Sequence, residues 1–516
     1  MRIGHGRRVG GWRLVVSCAL SSVLAACGTT VALSGAGSGQ LGGQGVANGP
    51  GPGPGSYGGS GGIAASRPGA SSAGSGGVNG TAGGGTPAAV AGGTSAGTSG
   101  GGGQLPAPST KVVSAGAPIV LGYSTAGDYS AFASSVGVGG SAAQNASVTN
   151  IKPMTEAMVS WINAHGGILG HPVQLAQYDF NIAEYAQDPA STEQAACTAW
   201  TQDDHAFAVV DTAGVAAGAL PCLAARGTPL VEPDMLINQA EINRYRPYVW
   251  DPTAMTVDRY IPALVDRLVA RRFFTGWNTT TGTPSAATPV RVGIMHFDDP
   301  VWNVYANLYK SELAHDGVKV TDEVTYPHGL QNESADTQNA VLRFRAHGVT
   351  EVLNANILFY EDAQSQGYYP RYALDSIIGP DVIAQNAPAQ ELRGSEGEGY
   401  APYGDVDPAS LPAELTPASH ACHEIMKAYG QDSTDYAPYG VCDLFMFILK
   451  AAEASKQVSV RGLLAGGESL GTWVTAETWT GYFAPDRHAA ARYFRDFAFD
   501  SSCTCYRYSG SLVDTG

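Results

Sequence analysis

Short apolar runs alternate along the chain with stretches in which apolar residues recur every three or four positions. Ile119-Val120-Leu121-Gly122-Tyr123 reads as a buried strand, and residues 148–165 carry Ile151, Met154, Met158, Trp161 and Ile162 on one stripe, which predicts a helix. Gly166-Gly167 stops that helix. The strand Val173 to Tyr178, a helix at 190–204, the strand Phe207 to Val210, a helix at 215–226 and the strand Pro229 to Val231 follow. Strands alternating with helices imply right-handed crossovers and a parallel sheet covered on both faces. After a long helix at 255–271 and a polar insert from Thr275 to Pro289 the pattern restarts. It gives the strand Val290 to Met295, a helix at 300–315, the strand Val318 to Val324, a helix at 334–346, the strand Glu351 to Leu353 and a helix at 357–367. Two such runs predict two sheets, because single cores rarely grow past about 250–300 residues. The expected fold class is α/β, two doubly wound lobes with parallel-rich sheets. Helices at 412–429 and 437–454 come late, and Tyr493, Phe494, Phe497, Phe499, Tyr506 and Tyr508 alternate as in a hairpin at 493–508.

None of this periodicity reaches into the first 110 residues. Arg2, Arg7, Arg8 and Arg13 precede a thirteen-residue apolar run, Leu14 to Ala26. A membrane span needs about 20 residues, so this run fits a signal-peptide h-region. The tetrad Leu24-Ala25-Ala26-Cys27 resembles the lipobox of bacterial lipoproteins, which implies cleavage after residue 26 and acylation of Cys27. Acyl chains contribute about 0.8 kcal/mol per buried CH2, so a multiply acylated Cys27 is a stable lipid anchor at the extracytoplasmic face of the membrane. Residues 31–110 hold 29 of the chain's 67 glycines and one charged residue, Arg67. Such a segment cannot bury enough area to offset its ordering entropy, so residues 27–110 read as a disordered tether with an end-to-end distance near ~50 Å.

Removing that segment changes the charge of what remains. The full chain of 516 residues carries −16, and the first 110 residues contain five arginines and no acid, so residues 111–516 carry −21. A body of that charge excludes a nucleic-acid partner, whose affinity needs clustered Lys and Arg, and suits a soluble monomer. Six cysteines remain once Cys18 and Cys27 are set aside, an even number that favours disulfides in an oxidising compartment. Cys197 and Cys222 lie on successive predicted helices, as do Cys422 and Cys442, and those pairings are favoured. Cys503 and Cys505 either close on each other or stay free or reducible. No spacing of ligands suggests a metal, and no cofactor motif such as a P-loop is present.

The segment Trp161-Ile162-Asn163-Ala164-His165-Gly166-Gly167-Ile168-Leu169-Gly170-His171-Pro172-Val173 resembles the helix, Asn-x-x-Gly-Gly-Ile and edge strand of type I periplasmic binding proteins, in their branched-chain amino-acid-binding group. His296-Phe297-Asp298-Asp299-Pro300-Val301-Trp302, Gly379-Pro380-Asp381 and Gly397-Glu398-Gly399-Tyr400 match further segments in order. The resemblance implies three hinge crossings, near residues 253, 401 and 478. Lobe 1 would then comprise residues 111–253 and 402–478, and lobe 2 residues 254–401 and 479–516. A small-molecule solute would bind between the lobes, and closure would present it to an ABC permease.

Candidate ligand contacts follow the strands. Ser124, Thr125, Asp128 and Tyr129 come after the first. Thr212, Ala213 and Gly214 come after the third, where relatives supply a hydroxyl and backbone N–H groups to a ligand carboxylate. Thr212 is the sole hydroxyl there, a departure from the paired Ser of relatives, and N-capping by Asp211 or Thr212 competes. Glu232 and Asp234 follow the fourth strand. In the second lobe Asp298, Trp302, Asn356 and Tyr360 are candidates, although residues such as Trp302 and Tyr360 are more often packing residues than cleft walls. By resemblance, Asp381 sits where amino-acid binders hold the ligand ammonium, although a solvated turn Asp is the other reading.

Enzyme signals are weak. Gly467-Glu468-Ser469-Leu470-Gly471 spells G-x-S-x-G, yet no strand precedes it as a nucleophile elbow requires. His420, His423 and Glu424 lack the spacing of a zinc protease. The expected function is a lipid-anchored solute-binding protein of an ABC-type importer, not an enzyme, taking a small polar, amino-acid-like solute. A ligand-binding sensory ectodomain working with a membrane partner is the alternative.

Overall fold

The computed structural model describes residues 104–127, 151–185, 187–233, 236–298, 300–326, 330–412, 415–431 and 437–516. The signal peptide, Cys27, most of the tether, Asp128, Tyr129 and Asp234 lie outside them. The first run of strands is β1 (Ile119–Thr125), β2 (Val173–Asp179), β3 (Ala208–Val210), β4 (Leu230–Val231) and β5 (Val249–Trp250). It forms an all-parallel sheet in the order β2-β1-β3-β4-β5. Between them lie α1 (Ile151–Ala164), α2 (Pro189–Thr198), α3 (Leu220–Ala225) and α4 (Gln239–Tyr245). β3, β4 and β5 are buried along their whole length, as expected where helices cover both faces.

α5 (Val257–Ala270) leads into the second sheet, whose first five strands are β6 (Val292–Phe297), β7 (Val320–Tyr326), β8 (Glu351–Leu353), β9 (Arg371–Asp375) and β10 (Glu396–Gly399). They are parallel, in the order β7-β6-β8-β9-β10, so both sheets repeat one topology. α6 (Pro300–His315), α7 (Leu330–His347), α8 (Ile357–Ser365) and α9 (Pro380–Asn386) make the connections. α10 (Pro417–Ala428) and α11 (Ala437–Ser455) then return to pack on α1, and α12 (Val460–Glu468) packs on α11. Finally β11 (Tyr493–Asp500) and β12 (Cys505–Asp514) form a hairpin whose first strand adds antiparallel to β10. The aromatic alternation at 493–508 thus marks an extension of the second sheet.

The differences from the sequence expectation have local causes. The helix expected at 215–226 is a 3-10 turn at Ala217–Ala219 followed by α3. The one expected at 190–204 ends in a π-helical turn at Ala199–Asp203 that carries Trp200 into the core. α4, β5, β9, α9 and α12 were not expected; β5 is two residues long and too short to show a period. Residues 104–110, assigned to the tether, are docked on the first sheet's layers. Tyr248 Oη donates to Pro106 O at 2.6 Å, Arg461 N to Ser109 O at 2.9 Å, and Val113 N to Val458 O at 2.8 Å.

The Asn-x-x-Gly-Gly segment has a physical role. Asn163 at the end of α1 clasps the start of β2 with both amide atoms, Nδ2 to Val173 O at 2.9 Å and Val173 N to Oδ1 at 2.7 Å. Gly167 adopts φ +72°, and a Cβ there would meet His171 O at 2.0 Å. Disulfides join α2 to α3 through Cys197 and Cys222, and α10 to α11 through Cys422 and Cys442, at Cα separations of 6.2 and 5.9 Å. Cys503 and Cys505 pair with each other at the hairpin tip. None of the described helices is long and apolar enough to cross a membrane.

α12 can approach α11 only because position 466 has no side chain, since a Cβ at Gly466 would lie 1.8 Å from Ala451 O. Gly466→Ala is therefore expected to destabilise the protein by roughly 1–3 kcal/mol through forced separation of the two helices. The shift in the urea midpoint of the full chain measures it.

Candidate functional site

In a doubly wound sheet with strand order 2-1-3-4-5, connections leave in opposite directions beside the first strand, opening a crevice at the carboxyl ends of strands 1 and 3. Here that places one crevice at the ends of β1 and β3 and another at the ends of β6 and β8. The chain leaves the carboxyl end of β5 for α5, and that of β10 for the region leading to α10, so both crossings start at the same strand ends as the crevices.

Ser124, Asp211, Thr212, Ala213 and Gly214 come together at the first crevice, all but Gly214 buried. Their donors are engaged internally. Ser124 Oγ donates to Asp211 Oδ1 at 2.6 Å and accepts from Ala213 N at 2.9 Å, while Thr212 Oγ1 donates to Ser124 O at 2.6 Å. Asp211 accepts from Val215 N at 3.1 Å and Ala216 N at 2.8 Å, and from the Gly214 amide. Thr212 N reaches Val210 O at 3.0 Å. Burial pushes the Asp211 carboxyl up, and the Ser124 hydroxyl and these amides pull it back in part. Asp211 thus holds the amides of residues 214–216 in the loop ahead of the 3-10 turn, whose N-cap, Ala216, has no side-chain cap bond. Thr125 bonds Asp179 and Gln177 instead of facing outward. Glu232 follows β4 and is buried.

Asp298 is exposed at the end of β6 and gives its N–H to Tyr326 O at 2.9 Å. Trp302 is buried between Phe297 and Tyr305, with ring centroids at 5.6 and 5.3 Å. Asn356 caps α8 by accepting from Phe359 N at 3.0 Å, and its Nδ2 donates to Thr337 Oγ1 at 3.0 Å. Tyr360 is fully buried against Tyr372, at 4.5 Å. Both aromatic candidates therefore pack in the core. Asn354, which sequence reasoning passed over, ends β8 in the left-handed conformation with φ +57°. Its Nδ2 donates to Met295 O at 2.7 Å, and its Oδ1 is buried with no partner among the described residues.

Asp381 lies in the first turn of α9 behind Pro380, entered through Gly379 at φ +63°. It is 2% exposed, so it is not a solvated turn residue. Gln385 Nε2 donates to its Oδ2 at 2.7 Å, the one hydrogen bond it makes among the described residues. Burial, with Asp407 adding, pushes its carboxyl up to about 7. Nearby, Asp375 at the end of β9 accepts from Tyr305, from Tyr309 at 2.8 Å and from the amides of Ile377 and Ile378 at 3.0 and 3.3 Å. The Tyr305/Tyr309 pair was legible as an i, i+4 aromatic stripe, but its partner sits 66 residues beyond Tyr309.

Buried acids also hold the crossings. Asp251 Oδ1 accepts from Thr253 N at 2.9 Å and Ala254 N at 2.7 Å. Asp405 Oδ2 accepts from Ala401 N at 2.9 Å and Tyr508 Oη at 2.6 Å. Asp443 accepts from Ala476 N at 2.8 Å and Glu477 N at 2.9 Å. Glu477, 5% exposed, is pushed well up by burial and by Asp251. Ser469 caps the end of α12 and donates to Gly466 O at 2.8 Å, so a helix precedes it where a nucleophile elbow needs a strand. Among the described residues no group of three or more His, Cys, Asp or Glu is arranged to hold a metal ion.

A family model described as "Periplasmic binding protein" matches residues 139–495. A comparison with curated protein sequences finds no match. Among solved structures, a branched-chain amino acid ABC transporter from Thermus thermophilus with bound valine is similar at a TM-score of 0.56 and 14% identity, covering 78% of this chain and 97% of that one. An ABC transporter substrate-binding protein from Desulfitobacterium hafniense in complex with Leu gives 0.52 and 15%, covering 76% and 100%. A solute-binding protein from Rhodopseudomonas palustris in complex with 3,4-dihydroxybenzoic acid gives 0.53 and 12%, covering 77% and 98%. At these identities the likeness is one of fold.

The carboxyl of Asp381 rises from its ordinary value of 3.8 to about 7 on folding, so the folded protein is penalised by its ionisation. That penalty is absent near pH 3, grows between pH 4 and 7, and is complete above. Asp381→Asn is expected to raise stability at pH 8 by on the order of a few kcal/mol and to leave it unchanged near pH 3. Thermal melts of both proteins across that range check the sign.

Proposed function

Because this chain belongs to the periplasmic binding protein family, we propose that it captures a small polar, amine-bearing solute between two lobes and delivers it to an ABC-type permease. Proteins of this family bind a solute and perform no chemistry on it. The observation that carries the reading is the pairing of two like sheets through crossings that start at the carboxyl ends of their strands, where both crevices open. Lobe 1 takes residues 111–253 and 402–478, and lobe 2 residues 254–401 and 479–516. Closure about the three crossings buries the solute and forms the surface that a permease reads. The known ligands of the structural neighbours, valine, leucine and 3,4-dihydroxybenzoic acid, support a small solute but differ too much to name one.

Asp381 supports the amine. A carboxylate held at 2% exposure with one hydrogen bond is costly unless a cation joins it. The lipobox supports a location outside the cytoplasmic membrane, anchored through Cys27, with the glycine-rich segment as the tether.

Two measurements test this. A bound solute should raise the melting temperature of the full chain and reduce its radius of gyration in solution scattering, with about 2.7 kcal/mol of stabilisation at a hundredfold excess over Kd. A rise in melting temperature with no change in radius would remove lobe closure from the account. Cys27→Ala should move the protein from the detergent to the aqueous phase on detergent partitioning of cells; retention in the detergent phase would rule out acylation at that residue.

A further inference from the structure

We propose that the solute is a small organic cation, a protonated amine or guanidinium without a carboxylate, and that Asp211 is the residue that turns carboxylate-bearing solutes away. The inference rests on the solute-capture reading above and narrows it. Its basis is the set of donors that Ser124 and residues 212–216 bring to the first crevice. The five successive amides from Thr212 to Ala216 are all engaged: with Val210 O, with Ser124 Oγ, and, for the last three, with the Asp211 carboxyl. The two hydroxyls, Ser124 and Thr212, donate to Asp211 and to Ser124 O. A carboxylate arriving here meets no free N–H or O–H from this segment. It meets another carboxyl group, 1% exposed, already seated in the place an anion would take.

The second lobe offers the opposite character. Asp381 is 98% buried with a single hydrogen bond, and no Lys or Arg lies within ion-pair distance of it among the described residues. Asn354, at the end of β8, has committed its Nδ2 to Met295 O, which leaves Oδ1 as a buried acceptor without a partner. A buried acceptor without a donor is costly, and a ligand that supplies N–H groups would satisfy Asn354 Oδ1, while positive charge on it would offset the buried carboxyl of Asp381. Among the described residues, Ser124 and the 212–216 segment have their donors filled, and the second lobe has an acceptor left over at Asn354 in addition to the buried Asp381. A molecule that fits both is rich in N–H groups and carries positive charge. An amino acid satisfies Asp381 with its ammonium but brings its carboxylate up to Asp211.

Titration calorimetry on the full chain with matched pairs isolates the carboxylate: agmatine against L-arginine, putrescine against L-ornithine, isobutylamine against L-valine, and isopentylamine against L-leucine. In at least one pair the amine should bind about tenfold or more tightly than its amino acid. Asp211→Ser, which frees the three amides, should cut that ratio below about threefold by raising amino-acid affinity. Asp381→Asn should weaken the amine by about tenfold or more. Should Asp211→Ser fail to fold, Asp381→Asn with the four pairs decides. Amino acids bound as tightly as their amines, an unchanged ratio in Asp211→Ser, or unchanged amine affinity in Asp381→Asn would overturn the inference. Binding of a neutral or acidic solute by a protein that ignores every amine would overturn it too, while leaving solute capture intact. Silence toward both series and toward a wider panel of sugars, amides and aromatic acids would overturn solute capture itself.

Discussion

The structure depends on carboxylates buried against backbone N–H groups. One stands at each of five turns: Asp211 after β3, Asp251 after β5, Asp375 after β9, Asp405 after β10, and Asp443 beneath the segment that follows α12. Each accepts two to four donors, most of them amides that neither a helix nor a strand would satisfy. A buried carboxyl is tolerated only with such partners, and in return it fixes the path of the loop that supplies them. Few of these acids have a cation beside them, so most sit above their ordinary range: Asp405 is pushed up to about 8, and Asp381 and Asp443 to about 7. Part of the formal charge of −21 in the folded body is therefore not carried near neutral pH. That eases the self-repulsion such a charge would otherwise impose.

Much of the architecture was legible because it is written in long periodic segments. Residues 300–315 and 351–353 match the expected elements to the residue, and α1 and α11 match within a few. What escaped was short. β4 and β5 pair through two residues each, and β9, with Arg371 at its head and Asp375 at its end, shows no period a reader could use. Partners outside the sheet supply what the sequence of β5 lacks: Trp250 stacks on His488 at 3.7 Å and meets Phe447 of α11 at 5.0 Å.

The candidate site was legible as a set of loops and not as a set of bonds. Ser124 and Thr212 stand after strands, where ligand hydroxyls are sought, yet their partners are each other's neighbours across the β1–β3 pairing, 87 and 88 residues away in sequence. Capping by Asp211 or Thr212 is the competing expectation there, but neither segment shows that Asp211 would take three successive amides together with the Ser124 hydroxyl. Asp381 was found through its Gly-Pro-Asp context, and its burial came only with the packing of α9 against Pro402–Asp405 and β12. Asn354 carried no signal at all, because its distinguishing feature is an acceptor left unmatched in three dimensions.

The docked segment at 104–113 bears on mechanics. Its three bonds, at Pro106, Ser109 and Val113, all end on residues of the first sheet or on the helices that pack over it. A pull arriving at residue 104 would be shared among Tyr248, Val458 and Arg461. Under the tethered arrangement proposed above, such a load would enter the molecule on the side of the first sheet.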